Sequence, residues 1–132
     1  MNWTVGDSRT LVKTISDADV VLFSQVSGDL NPIHLDDTYA ATTRFGKRIA
    51  HGALLASYIS NIIGNQIPGQ GSIYLSSSLK FRAPTFIGDT VSTIATIVTI
   101  RPDKPIFSLE CVCKNQHEEV LCHGEAVVLY EP

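Results

Sequence analysis

The sequence predicts an α+β fold in which a long antiparallel sheet wraps around a central buried helix. Three observations lead there. Residues 51–64, HGALLASYISNIIG, read as a helix whose apolar side chains (Leu54, Leu55, Ile59, Ile62 and Ile63) spread around most of its circumference. A helix apolar nearly all round is an enclosed one. After it come four strand-like runs, at about 72–82, 90–101, 105–115 and 118–130, each longer than the ~5–6 residues of an ordinary strand. The links Gly88-Asp89, Pro102-Asp103-Lys104-Pro105 and Gln116-His117-Glu118 are short, so neighbouring strands should run antiparallel.

In chain order, residues 9–15 (RTLVKTI) read as a strand. Ser16 then offers a helix N-cap, with Asp17 and Asp19 in the first turn of a helix running to about Val26. Val20, Val21, Leu22 and Phe23 are its expected inward positions, with approximate helical spacing. Gly28-Asp29-Leu30-Asn31-Pro32 is turn chemistry and ends that helix. A short helix fits Asp37–Thr42. Gly64 suits the C-terminal cap of the 51–64 helix, and Pro68-Gly69 makes the exit turn. In the run 72–82, Ile73, Leu75, Leu79 and Phe81 alternate with Tyr74, Ser76, Ser78, Lys80 and Arg82, the period of a strand with one buried face. Long, curved antiparallel strands lying against one buried helix describe the hot-dog architecture.

Length and composition narrow the function. At 132 residues the chain fits one compact domain, 1–132, without room for a separate cofactor domain. Hydrophobic residues make up 44% and charged residues 17%, a globular balance rather than a disordered one. Net charge is −3 and no run of Lys or Arg appears, which argues against a nucleic-acid-coating role. No basic start followed by an apolar stretch is visible, and no segment reaches the length of a membrane span. The expectation is a cytoplasmic protein with neither membrane nor nucleic acid as partner. Cys111, Cys113 and Cys122 are an odd number in a chain this long, so reduced thiols are expected. Cys111 and Cys113 alternate with Phe107 and Leu109 as core-facing positions would. Their spacing with His117 and His123 matches no usual zinc pattern, so no metal site is expected.

The chemistry concentrates in residues 23–34. Asp29 and His34 are a carboxylate and an imidazole five residues apart, separated by Asn31, which can bond its own backbone, and Pro32, which fixes one torsion. A stiff turn of this kind could aim both groups at one water, one accepting a proton while the other supplies one. Taken alone, the same residues also fit a helix stop with an Asx turn and a surface histidine.

Ser27-Gly28-Asp29-Leu30-Asn31-Pro32-Ile33-His34, preceded by Phe23, resembles the hydratase-2 signature of the MaoC-like enzymes, with every position present. The likeness extends through His51-Gly52-Ala53-Leu54-Leu55-Ala56-Ser57 and Gly71-Ser72-Ile73-Tyr74-Leu75, over nearly the whole chain. The resemblance is nearest to single-domain (R)-specific enoyl-CoA hydratases of the polyhydroxyalkanoate type. It implies a hot-dog fold, a homodimer, an acyl-CoA substrate, and reversible syn hydration of trans-2-enoyl-CoA to (R)-3-hydroxyacyl-CoA. It implies that Asp29 and His34 bind and activate the water, and that Asn31 and Pro32 hold the turn. Gly52, Ser60 and Asn31 form the implied substrate-binding set. Hydration requires no nicotinamide, flavin or metal, so no cofactor is expected.

The residues agree with these assignments unequally. Gly52 opens the 51–64 helix, where N–H groups lack intrahelical partners and the dipole is positive, so its N–H suits a thioester oxyanion. Ser60 rests on the resemblance alone. His51 and Ser57 are expected to bond neighbouring backbone, and Ile63 to be core. Arg44, Lys47, Arg48, Lys80 and Arg82 are all candidates for the CoA phosphates, and nothing in the sequence separates them. Three rival activities share these residues: dehydration of (R)-3-hydroxyacyl groups on acyl carrier protein, thioester hydrolysis, and non-catalytic acyl-CoA binding.

Overall fold

The computed structural model describes residues 2–132. Its elements are β1 (Ser8–Thr14), α1 (Asp17–Ser27), α2 (Pro32–Leu35), α3 (Asp37–Ala41), α4 (Gly52–Asn65), β2 (Ser72–Phe81), β3 (Thr90–Ile100), β4 (Ile106–Lys114) and β5 (Val120–Tyr130). The strands form one five-stranded sheet in the order β1-β3-β4-β5-β2, antiparallel throughout. Helix α4 packs against β1, β2 and β3, which is the expected sheet around a helix.

The sheet positions α4 through strict alternation on its inner face. Val91, Thr93, Ala95 and Ile97 of β3 are fully buried, as are Leu109, Cys111 and Cys113 of β4 and Ala126 and Val128 of β5. They meet Leu55, Tyr58, Ile59, Ile62 and Ile63 of α4 in one core. All three cysteines are free thiols inside it. Cys113 of β4 stands opposite Cys122 of β5, and burial pushes the Cys111 thiol up to about 12.

Several local expectations are corrected. β2 and β3 do not pair with each other: β2 pairs with β5 and β3 with β1. Their connection crosses to the start of α4 instead, where Ala50 N–H donates to Thr85 O at 2.7 Å and Ile49 bridges Phe86. In β2, Ile73, Leu75 and Phe81 are exposed while Tyr74 and Leu79 pack on the core. The register shifts between Tyr74 and Ser76, and such a bulge reverses which residues face inward. Helix α4 is not enclosed all round. Ala53, Ser57, Ser60 and Gly64 form an exposed stripe of small residues. Nor does Gly64 cap it. The helix runs to Asn65, and the N–H groups of Gln66 and Ile67 both reach Ile62 O. The left-handed glycine is Gly69, φ 90°, whose N–H closes on Ile63 O.

Helix α1 begins as expected, with a reciprocal box between Ser16 and Asp19. The Ser16 backbone N–H on its carboxylate holds Asp19 below the usual range. Of its expected inward positions Val20 is fully buried and Phe23 packs on the core, but Leu22 is 58% exposed, and Ser24 is buried as well.

At Gly124 of β5 the neighbouring strand leaves no room for a side chain. A Cβ there would lie 1.7 Å from Ser78 O of β2, so no side chain fits without parting the two strands. Gly124→Ala is expected to cost at least ~3 kcal/mol, lowering the melting midpoint by about 10 °C. Melting within about 2 °C of wild type would contradict this packing.

Candidate functional site

The site is assembled from the end of α1, the turn after it, and the start of α4. Gly28 ends α1 in the left-handed region, φ 78°, with its N–H on Ser24 O. Ser27 then donates to Phe23 O and accepts the Asp29 N–H. The Asn31 N–H reaches Asp29 Oδ1 at 3.2 Å, and Asn31 Oδ1 accepts the Ile33 N–H at 3.3 Å. Asn31 therefore caps α2, with Pro32 at its first position. With Oδ1 engaged by the turn, Asp29 presents Oδ2 to His34.

His34 is buried and its ring is fixed from behind. Nδ1 lies 2.8 Å from the carbonyl of Ile49. A carbonyl only accepts, so Nδ1 carries the proton and Nε2 keeps its lone pair in the neutral ring. That nitrogen stands 3.9 Å from Asp29 Oδ2, too far for a direct hydrogen bond. One water within ~2.8 Å of both would fill the gap, donating to each. Arg48 anchors the same segment. Its Nε donates to His34 O at 2.7 Å while its guanidinium pairs with Asp17 at 2.7 Å.

His51 completes the support. Its ring stacks on His34, centroids 3.8 Å apart and planes 25° off parallel, and Phe23 packs against it in a tilted contact at 4.9 Å. Nε2 lies 3.0 Å from Ser24 Oγ and 3.3 Å from Asp29 O, so it is the protonated nitrogen. Nδ1 is buried without a partner. Desolvation pushes the His51 pKa below its ordinary value, so this imidazole is neutral. Immediately after it, Gly52 begins α4, its N–H among those the helix itself cannot satisfy. A Cβ on Gly52 would meet the Phe81 ring at 2.9 Å. An apolar groove of about 390 Å³, lined by Leu22, Phe23, Val26, Leu54 and Tyr58, runs alongside between α1 and α4.

The MaoC like domain family matches residues 5–119. The chain belongs to this family. It is 45% identical over 124 residues to an (R)-specific enoyl-CoA hydratase of Aeromonas caviae, covering 94% of this chain and 92% of the relative. An (R)-specific enoyl-CoA hydratase of Rhodospirillum rubrum is 44% identical over the same length, covering 94% and 85%. The solved (R)-hydratase from A. caviae involved in PHA biosynthesis superposes with a TM-score of 0.95 at 43% identity, covering 98% of each chain.

Within this MaoC-like chain the expected site residues do not all converge. Asp29, His34 and the α4 start at Gly52 come together. Asn31 serves the turn through its cap. Ser60 sits on the exposed stripe of α4, about 12 Å further along the axis than Gly52. Arg48, a candidate for phosphate binding, is instead spent on His34 O and Asp17. Sequence reading missed Ser24, although a serine four residues after Val20 on the inner face of α1 was the available signal. Asp29, His34 and His51 do place ligand-type atoms within 4.8 Å of one another. The two rings are stacked, though, so their in-plane lone pairs run side by side rather than converge. His51 Nε2 is also engaged. The trio therefore lacks the convergent lone pairs that a cation needs.

The neutral His51 has a measurable consequence. Its folded pKa lies below 6.5, so the unfolded chain binds more protons than the folded one just beneath that pH. The stabilisation is complete above 6.5 and fades as pH falls through the folded value. The groups facing it, His34 and Asp29, remain in His51→Gln. Between about pH 7 and pH 5 the melting midpoint of wild type should fall more steeply than that of His51→Gln. Parallel curves would show that His51 is not held neutral.

Proposed function

We propose that this chain catalyses reversible (R)-specific hydration of trans-2-enoyl-CoA to (R)-3-hydroxyacyl-CoA, with Asp29 and His34 as the acid–base pair. The observation that carries this reading is the 3.9 Å gap between Asp29 Oδ2 and His34 Nε2, the nitrogen that keeps its lone pair when the neutral ring donates through Nδ1 to Ile49 O. A water held there has both hydrogens directed at bases and its lone pairs free for carbon. Its oxygen attacks the β-carbon, the alkene π electrons move toward the thioester carbonyl, and the dyad takes one water proton. Collapse of the enolate then draws a proton from the dyad onto the α-carbon. Water's two hydrogens end on the new hydroxyl and on the α-carbon, so the enzyme returns to its starting state.

The other requirement is stabilisation of the carbonyl oxygen as charge builds. The Gly52 N–H, at a helix start, supplies a fixed donor and the positive end of the dipole. A donor of this kind is worth ~2.7–4 kcal/mol in the transition state. The Phe81 ring lies close against Gly52 and gives that position an apolar wall. The neighbouring apolar groove supplies surface for an alkyl chain.

Dimerisation belongs to the same proposal. β2 is an edge strand of ten residues with Ile73 and Leu75 exposed at 58% and 49%. An open apolar edge of that length is normally covered. A second copy pairing along β2 would cover it and continue the sheet across both protomers. A cytoplasmic location accords with three reduced thiols. Among the described residues, no helix is long and apolar enough to cross a membrane.

Hydration of crotonyl-CoA, followed as loss of the enoyl absorbance, tests the chemistry. Asp29→Asn and His34→Ala are each expected to lower the rate at least ~100-fold with the fold retained. Near-wild-type turnover in either would refute the assignment. Light scattering at micromolar concentration should give the mass of two chains, and Leu75→Asp should shift it toward one. A monomeric wild type would remove the edge-pairing proposal.

A further inference from the structure

Five positively charged side chains were equal candidates for CoA phosphates on sequence alone, and the structure separates them. Arg48 is committed to His34 O and Asp17. Lys47 lies over the Phe86 ring at 4.5 Å and shares its cleft with Asp17 and Asp37. Lys80 shares a depression with Glu110 and Glu125. Arg44 and Arg82 remain, both exposed, and neither has a carboxylate partner among the described residues. Of the other arginines, Arg101 pairs with Asp103 and Arg9 lies over Trp3.

These two line the same cleft, a space of about 180 Å³ walled also by Phe45, Ile49, Phe81 and Pro84. Two of those walls belong to the site. Ile49 fixes His34 through its carbonyl, and Phe81 lies over Gly52. Each guanidinium is already oriented. Arg44 stacks on Phe45 at 4.8 Å. Arg82 donates from Nε to His123 Nε2 at 2.9 Å, leaving its terminal nitrogens free. Two unneutralised guanidiniums on one cleft repel each other, and a polyanion between them removes that cost. Planar forks of this type suit phosphate oxygens in bidentate fashion.

We propose that Arg44 and Arg82 form the phosphate-recognition site for the CoA carrier, with the pantetheine arm crossing Phe81 and Ile49 to reach Gly52. The proposal rests on the thioester reading above, so its test has one arm that does not need turnover. Crotonyl-CoA and crotonyl-pantetheine differ by the phosphates and the nucleoside. In Arg44→Gln/Arg82→Gln the ratio of kcat/KM for the CoA substrate to that for the pantetheine substrate should fall at least ~10-fold. Lys47→Gln should leave the ratio unaltered. By calorimetry, adenosine 3′,5′-bisphosphate should bind wild type and bind the double variant at least ~10-fold more weakly. An unchanged ratio, or equal losses on both substrates, would overturn the proposal. If wild type hydrates neither thioester, the functional reading fails. The calorimetric comparison then decides the phosphate site by itself, equal affinities overturning it.

Discussion

The hydrogen bond from His34 Nδ1 to the carbonyl of Ile49 is the contact on which the site depends. It assigns the tautomer, aims Nε2 toward Asp29, and ties the short helix carrying His34 to the segment that leads into α4. A side-chain acceptor in its place could rotate or take up a proton. A backbone carbonyl does neither. The same segment then supplies His51, stacked on His34, and Gly52, so the proposed acid–base pair and the proposed carbonyl donor are joined through one stretch of chain. Proximity of this kind converts a reaction between two molecules and a catalyst into one fixed geometry.

The sheet's part is to hold α4 where that geometry needs it. β3, β4 and β5 present an alternating inner face to the apolar side of α4, and the β2–β3 connection crosses below the start of that helix through the Ala50–Thr85 bond. Phe81, at the end of β2, lies on Gly52. Gly52 is thus small where an aromatic ring approaches closely, and its proposed role as a backbone donor to substrate asks for the same small residue.

Much of this was legible from residue order. Period-two alternation marked the strands, and the apolar residues of 51–64 marked α4 as a helix, though not its exposed stripe. The run from Ser27 to His34 combined turn residues with a carboxylate and an imidazole, and its likeness to a family signature turned an ordinary helix stop into a candidate site. What escaped depends on long-range contacts. The bulge at Leu75 reversed the faces of β2, and no local pattern announces a register shift set by pairing with β5. Short linkers suggested hairpins throughout, yet the stretch 82–89 spans from one side of the sheet to the other. Arg48 resembled any other basic residue beside Lys47, and only its contacts with His34 O and Asp17 show it to be internal scaffolding. Ser60 matched a family position but lies on the exposed stripe of α4 in a single chain, a face that an edge-paired second copy would alter.

The central claim is that one water, held between Asp29 and His34 on one side of the substrate, delivers both oxygen and proton. Hydrating crotonyl-CoA in deuterated water and resolving the product by chiral chromatography and NMR tests this most directly. The account predicts (R)-3-hydroxybutyryl-CoA with a single deuterium at the α-carbon, on the same face as the new hydroxyl. An (S) product, or deuterium on the opposite face or scrambled between the two, would contradict it.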